Sequence, residues 1–339
     1  MDNWAVAISA NAGSTFAIRS DGALFTWGQG TSGQLASGAT TSRSSPVQVG
    51  SSSWTTVSSG GNSFNGFAVR SDGTLWSWGI GTSGSLGDGT ISAKSSPVQI
   101  GIGEGSWTAV SAGTNGARAI STGGVYWAWG INTGGQVGDS TLTNRSFAIA
   151  VGNSIADGSI SSPVQVGSSS WTAVSSGYTH AAAIRSDGKL FTWGTGFLGS
   201  LGDGTIVAKS SPVQIGTSSW TSVSAGMWGG AAIRAGGALF TWGYNGTGQL
   251  GDGTIIDKSS PVQIGTSSWT SVSAGQEHMA AIRSDKILFT WGNNNYTENF
   301  QTAGALGDGT VVSKSSPVQI GTSSWTLVSA GKYYTLGIS

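Results

Sequence analysis

The chain has 339 residues, of which only 9% are charged, and 15 Lys and Arg balance 15 Asp and Glu. So low and balanced a charge speaks against a nucleic-acid-binding surface or an acidic tail. The absence of Cys excludes disulfides, zinc–thiolate sites and a cysteine nucleophile.

After Met1 the chain passes at once into "DNWAVAIS", the first of a series of Trp-led, β-like runs. The others start at Trp54, Trp107, Trp171, Trp220, Trp269 and Trp325. Neither an apolar run long enough to cross a membrane nor a charged segment followed by an apolar one is present. The expectation is therefore no membrane insertion and no Sec signal peptide. Units begin near residues 4, 54, 107, 171, 220 and 269, with a partial unit at 325–339, all in one domain. The fifth unit shows the four candidate strands in order. They are "WTSVSAG" (Trp220 to Gly226), "AAIR" (Ala231 to Arg234), "LFTWG" (Leu239 to Gly243) and "SPVQIG" (Ser260 to Gly265). "SDG", as at Ser20-Asp21-Gly22 and Ser186-Asp187-Gly188, joins the second strand to the third, where Asp and Gly suit a turn that needs positive φ. All six prolines, Pro46, Pro97, Pro163, Pro212, Pro261 and Pro317, fall at the start of the fourth strand, where no ladder N–H is lost.

Two units are longer than the rest. In the third, "GDSTLTNRSFAIAVG" (Gly138 to Gly152) aligns with "GDGTISAKSSPVQIG" (Gly87 to Gly101), and "ADGSISSPVQVG" repeats the theme. The sixth carries "NNNYTENFQTAGA". Both insertions fall in outer loops and are expected at the surface. Four-stranded units of roughly 40–50 residues, repeated six or seven times, predict an all-β chain folded as a β-propeller. Trp325 to Ser339 supplies two inner strands, which predicts seven blades with the last reduced. The alternative is six blades and a C-terminal hairpin. In the seven-bladed ring the strand Tyr334, Thr335, Leu336, Gly337, Ile338 leaves an edge on which a partner chain docks.

The glycine-rich corner "WGTGFLGSLGDGT" (Trp193 to Thr205) looks at first like a phosphate loop or an acidic ion site. Its recurrence from Trp78, Trp129 and Trp242 favours a structural turn, tied down by Asp203 through its own side chain. Arg19, Arg70, Arg185, Arg234 and Arg283 follow the second strand and read as a structural ring paired with Asp or carbonyl groups. Arg43, Lys94, Lys209, Lys258 and Lys314 precede the fourth strand and read as charges that discourage edge-to-edge aggregation.

The stretch "VSSGYTHAAAIRSDGKLFTWGTGFLGSLGDGT" (Val174 to Thr205) resembles the regulator of chromosome condensation repeat, and the likeness extends over essentially the whole chain. The family's motif runs Gly-x-x-His-x-x-Ala-Leu, Asp-Gly, Tyr-x-Trp-Gly, Gly-Gln-Leu-Gly. The resemblance implies a propeller, most often of seven blades. Its repeated His survives only as His180 and His278, the aligned positions elsewhere holding Ser14, Gly116 and Gly230. The founding member is an exchange factor for a small GTPase that also binds chromatin through a wedge and a basic tail. This chain has no such tail, and its only wedge candidate is the insertion around Asn153.

Subtracting the shared pattern isolates the loop between the two inner strands. It holds Tyr178 and His180 in the fourth unit, Trp228 in the fifth, Glu277 and His278 in the sixth, and Tyr333 and Tyr334 in the partial seventh. Exposed aromatics beside polar groups suit a recognition surface, the alternative being that they plug the channel mouth. The histidines lie two units apart with no carboxylate accompanying both, so no metal site is expected, and no cofactor. Glu277 beside His278 is the one concentrated acid–base pair, and no Ser-His-Asp set stands out.

The chain thus reads as a non-enzymatic structural or interaction protein of a virion (a phage tail or capsid accessory) or a cell surface, with protein partners or self-assembly. The alternative is a soluble propeller that binds a glycan or a protein through the variable loops. An exchange-factor-like or enzymatic role is the remoter reading.

Overall fold

The computed structural model describes residues 6–10, 13–60, 64–103, 105–114, 116–150, 169–298 and 301–339. Each full unit is a four-stranded antiparallel meander in chain order. In the fifth unit Trp220–Ala225 pairs with Gly229–Arg234, which pairs with Ala238–Gly243, which pairs with the first part of Lys258–Ala274. That last strand continues into the sixth unit without a break, and Arg43–Ser59 likewise joins the first unit to the second. No helix among the described residues is long and apolar enough to cross a membrane.

The local turns follow from their residues. At the hairpin between second and third strands, Gly22 and Gly188 sit at φ 85° and 80°, a conformation that costs glycine nothing. In the sixth unit the same position is Lys286, which is forced to φ 67°. At the corner, Asp203 Oδ1 accepts from the Thr205 backbone N–H at 2.9 Å and from its hydroxyl at 2.8 Å. The repeated acidic corner is thus an Asx turn. The cations of the following strand are recruited to it: Lys209 lies 3.6 Å from Asp203, and Arg145 lies 2.7 Å from Asp139. Lys94, Lys258 and Lys314 do the same with Asp88, Asp252 and Asp308. Only Arg43, whose unit has Ser37 in place of the acid, lacks such a partner among the described residues. Of the five second-strand arginines, Arg19, Arg185 and Arg283 pair with the turn Asp. Arg70 and Arg234 instead lie over the rings of Trp76 and Phe240, at 3.7 and 4.0 Å from their centroids.

The third unit departs from expectation. Its fourth strand is Arg145–Ala150, paired with Tyr126–Gly130, so the first copy of the duplicated segment fills the outer position. Pro163 and the insertion around Asn153 lie outside the described residues, as does Trp4. In the sixth unit, part of the insertion forms a hairpin of Tyr296–Glu298 with Gln301–Ala303, and Lys314–Ile320 completes the sheet. The last sheet has two strands, Leu327–Ala330 and Thr335–Ile338.

Units are joined side to side by apolar clusters. One of these gathers Ile184 and Leu190 of the fourth unit with Trp220 and Trp242 of the fifth. The third-strand Trp then crosses the boundary: Trp242 Nε1 donates to the Ser200 carbonyl at 3.0 Å, and Trp291 Nε1 to Gln249 at 3.0 Å. At Gly202 a Cβ would stand 2.9 Å from the Trp242 ring and φ is 70°, a position that the first unit fills with Ala36 at φ 56°. Near the axis, serines of one first strand accept from the next. Ser175 Oγ takes the Ala225 N–H at 2.8 Å, Ser224 takes Ala274 at 2.9 Å, and Ser273 takes Ala330 at 2.9 Å. The seven first strands surround a central cavity of about 180 Å³, with Ser9, Ser58, Ser111, Ser176, Ser224, Ser273 and Ser329 in its wall. The two-stranded last sheet thus lines the same cavity as the full units.

Candidate functional site

First strands run toward one end of the cavity, so the loops between first and second strands and the corners after third strands share that face. The variable loop residues divide into two groups there.

The first group holds the ring together. His180 is 1% exposed, and its Nε2 lies 3.1 Å from the Gly229 carbonyl of the next unit. A carbonyl only accepts, so Nε2 carries the proton. His278 is equally buried, with Nε2 3.0 Å from Thr335 Oγ1 of the next unit. That hydroxyl donates its own hydrogen to the Ala305 carbonyl at 2.9 Å, so His278 Nε2 is again the donor. Both Nδ1 atoms are buried without a partner among the described residues. Burial pushes each imidazole pKa down to about 4.

Tyr334 occupies the equivalent position in the seventh unit, since the Gly331 N–H bonds to its carbonyl as Gly275 does to His278. Its phenol donates to the Ser14 carbonyl of the first unit at 3.0 Å and lies 3.3 Å from Thr15 Oγ1. Burial raises its pKa. A side chain at this one position thus reaches the next unit three times, and Tyr334 closes the ring.

Strand register identifies Gly229, rather than Gly230, as the fifth unit's counterpart of the histidine, because Gly229 opposes Gly243 as His180 opposes Gly194. In the third unit, where Gly116 leaves the position empty, Arg118 fills the space from two residues further on. Its Nη1 stands where a Cβ on Gly113 would be 2.8 Å away, as the His180 ring stands over Gly177. Arg118 is fully buried, donates to the Gln136 carbonyl at 2.7 Å, and has its pKa lowered by that burial.

The second group faces outward. Trp228 is half-buried between Tyr178 of the preceding unit and Phe197 of the preceding corner, with ring centroids at 5.1 and 5.7 Å. Phe197 is 53% exposed. Sequence reasoning missed it; aligned corners hold Thr31 and Thr82, so an aromatic in a threonine position was the available signal. Tyr333 lies under Lys332 Nζ at 4.3 Å. Glu277 accepts from Asn293 Nδ2 at 2.7 Å, whereas His278 Nε2 bonds to Thr335 of the next unit. Among the described residues no hydrogen bond joins the two. Among the described residues no group of three or more His, Cys, Asp or Glu gathers as a metal site would require. The cavity wall is built from Ser, Ala and Gly with Thr114, Tyr178, Met227 and Gln276.

Solved structures share this architecture. Human WBSCR16 is 19% identical, with 99% of this chain and 87% of that chain covered and a TM-score of 0.84. Prp20p from Saccharomyces cerevisiae, described together with its binding to Gsp1p and histones, is 18% identical over 97% of this chain and 81% of that one, with a TM-score of 0.78. Yeast RCC1 (Prp20) bound to Kap60 gives a TM-score of 0.74 at 18% identity, covering 93% and 76%. These likenesses concern the fold. The repeat itself is matched by two family models. One covers residues 21–64, 72–120, 187–233 and 236–282, the other residues 5–34, 171–199 and 269–298. This chain belongs to the regulator of chromosome condensation (RCC1) repeat family.

Proposed function

We propose that this propeller is a non-enzymatic interaction protein that binds a protein partner on its loop face. The observation that carries the reading is the aromatic cluster of Tyr178, Trp228 and Phe197. It bridges two units at the rim of the central cavity and leaves ring surface in solvent. Rigid aromatics give large contact area for little loss of side-chain entropy. Binding rather than turnover is supported by a cavity wall of small, uncharged residues and by the separate engagements of Glu277 and His278. The binding of Prp20p to Gsp1p and histones makes a protein partner the natural class. A low-charge, Cys-free composition suits a component of a larger assembly, and a virion or cell surface is the setting we favour.

The strand Thr335–Ile338 offers a second place for a partner. Among the described residues it pairs on one side only, with Leu327–Ala330, leaving its other edge for strand addition.

Immobilised wild-type and Trp228→Ala chains, compared as baits by quantitative mass spectrometry, test the reading. The expected result is a protein enriched on the wild type and lost on the variant, with unchanged circular dichroism. Identical captures on both baits would refute it, and selective retention on a glycan array would move the reading to a carbohydrate ligand.

A further inference from the structure

The corner loops carry a feature that ring formation does not use. The residue three places after each corner Asp is apolar and exposed in five consecutive units: Ile91, Leu142, Ile206, Ile255 and Val311. Ile91 and Ile206 are 71% and 72% exposed. In the fourth, fifth and sixth units a second exposed apolar residue follows: Val207, Ile256 and Val312. The first unit has Thr40 and Thr41 there instead. The outcome is an apolar arc over units two to six that turns polar at unit one. Phe197, on the same loop as Ile206, connects the arc to the Trp228 cluster.

Together these residues and Phe197 expose on the order of 1,000 Å², distributed over five corners. The loops hold them rigidly. In the fifth unit Asp252 accepts from the Thr254 N–H and hydroxyl at 2.9 and 2.7 Å, and Thr254 Oγ1 takes the Ile256 N–H at 3.3 Å. Little entropy is therefore left to lose on docking.

Charge narrows the choice of partner. Lys94, Arg145, Lys209, Lys258 and Lys314 beside the arc are each held by their own unit's Asp, at 2.7 to 3.6 Å, which leaves Arg43 of the first unit as the one cation of this set without such a partner among the described residues and little positive charge to draw anionic lipid or nucleic acid. The whole chain is neutral, so a like surface meets no repulsion. One residue at the same place in each unit also makes the arc self-complementary about a two-fold axis lying across the propeller axis. We infer that the arc is an interface with a second copy of this chain, the two loop faces opposed. The exposed area is enough to supply the about 800 Å² that each partner buries in a stable interface. The inference rests on reading the loop face as the recognition face, and it names that face's partner.

The test is the solution mass of the full chain, measured by light scattering across a concentration series beside the variant Ile206→Ser/Ile255→Ser/Ile256→Ser. The wild type is expected to approach twice 34.1 kDa. The variant should remain at the monomer mass, its dissociation constant raised at least about tenfold, with unchanged circular dichroism and melting temperature. A wild type that stays monomeric at every concentration overturns the inference, as does a variant that associates like the wild type. Flotation of the wild type but not the variant with neutral phosphatidylcholine vesicles overturns it too, by assigning the arc to a membrane. A monomeric wild type whose capture of a partner still depends on Trp228 defeats self-association alone and leaves the loop-face reading standing.

Discussion

Acid should loosen this ring through two side chains. His180 and His278 are the only histidines in the chain, and both are buried at unit boundaries as the Nε2–H form. A proton on Nδ1 would have to sit in a dry site that offers it no acceptor among the described residues. Burial therefore holds each pKa near 4, against 6.5 for the free side chain; for His180 the Gly229 carbonyl opposes the shift and the Arg118 charge adds to it. Between those values the unfolded chain binds protons that the folded chain does not. Stability is thus complete above the unfolded pKa and falls as pH drops toward 4. Each histidine then costs about 1.4 kcal/mol per pH unit, or roughly 3 kcal/mol over the window, and the pair about 6 kcal/mol. That is a large share of a typical folding free energy of about 5–15 kcal/mol.

The corner carboxylates Asp139, Asp252 and Asp308 have pKa values lowered by bonds to Thr and the neighbouring cation, which outweigh their burial. They lose their contribution only below the ordinary carboxylate range, so the histidine window stands apart. Urea unfolding in steps from about pH 7 to about pH 4.5 measures the loss, and the two histidine Hε1 resonances report titration directly. Resonances that titrate near pH 6.5 would refute the reasoning. So would an equal pH slope in the His180→Gln/His278→Gln variant.

Further predictions concern single contacts. Tyr334→Phe removes the bond that joins the seventh unit to the Ser14 carbonyl, and the melting free energy should fall by about 1 kcal/mol. Ser224→Ala strands the Ala274 N–H between units and should cost about 1–3 kcal/mol in urea unfolding. Lys286→Gly relieves a φ of 67° and should raise stability by about 1 kcal/mol, visible as a higher melting temperature. Asp203→Ala removes two hydrogen bonds and leaves Lys209 half-buried without its acid; a loss of about 1–3 kcal/mol is expected from the same assay.

What the sequence determined by itself is what short-range physics controls. A turn that needs positive φ announces itself as Gly22 or Gly188, and Asp203 bonds a threonine two residues away. Each such feature recurs with the repeat, so the propeller and its strand order were legible from the spacing of Trp, Asp-Gly and Pro. The roles of the variable residues were not legible. His180 bonds a carbonyl 49 positions ahead and Tyr334 one 320 positions behind, and only ring closure places those groups together. From the sequence all seven loop residues looked like one recognition surface. The structure buries His180 and His278, and in large part Tyr334, while leaving Trp228 and Tyr178 beside Phe197 at the surface. The apolar arc was hidden for the opposite reason, because isoleucine in a β-rich chain is expected inside. Its exposure is decided by the corner, whose Asp–Thr and Asp–Lys contacts turn the chain outward there. Burial is a property of neighbouring units, and no unit carries its neighbours in its own sequence.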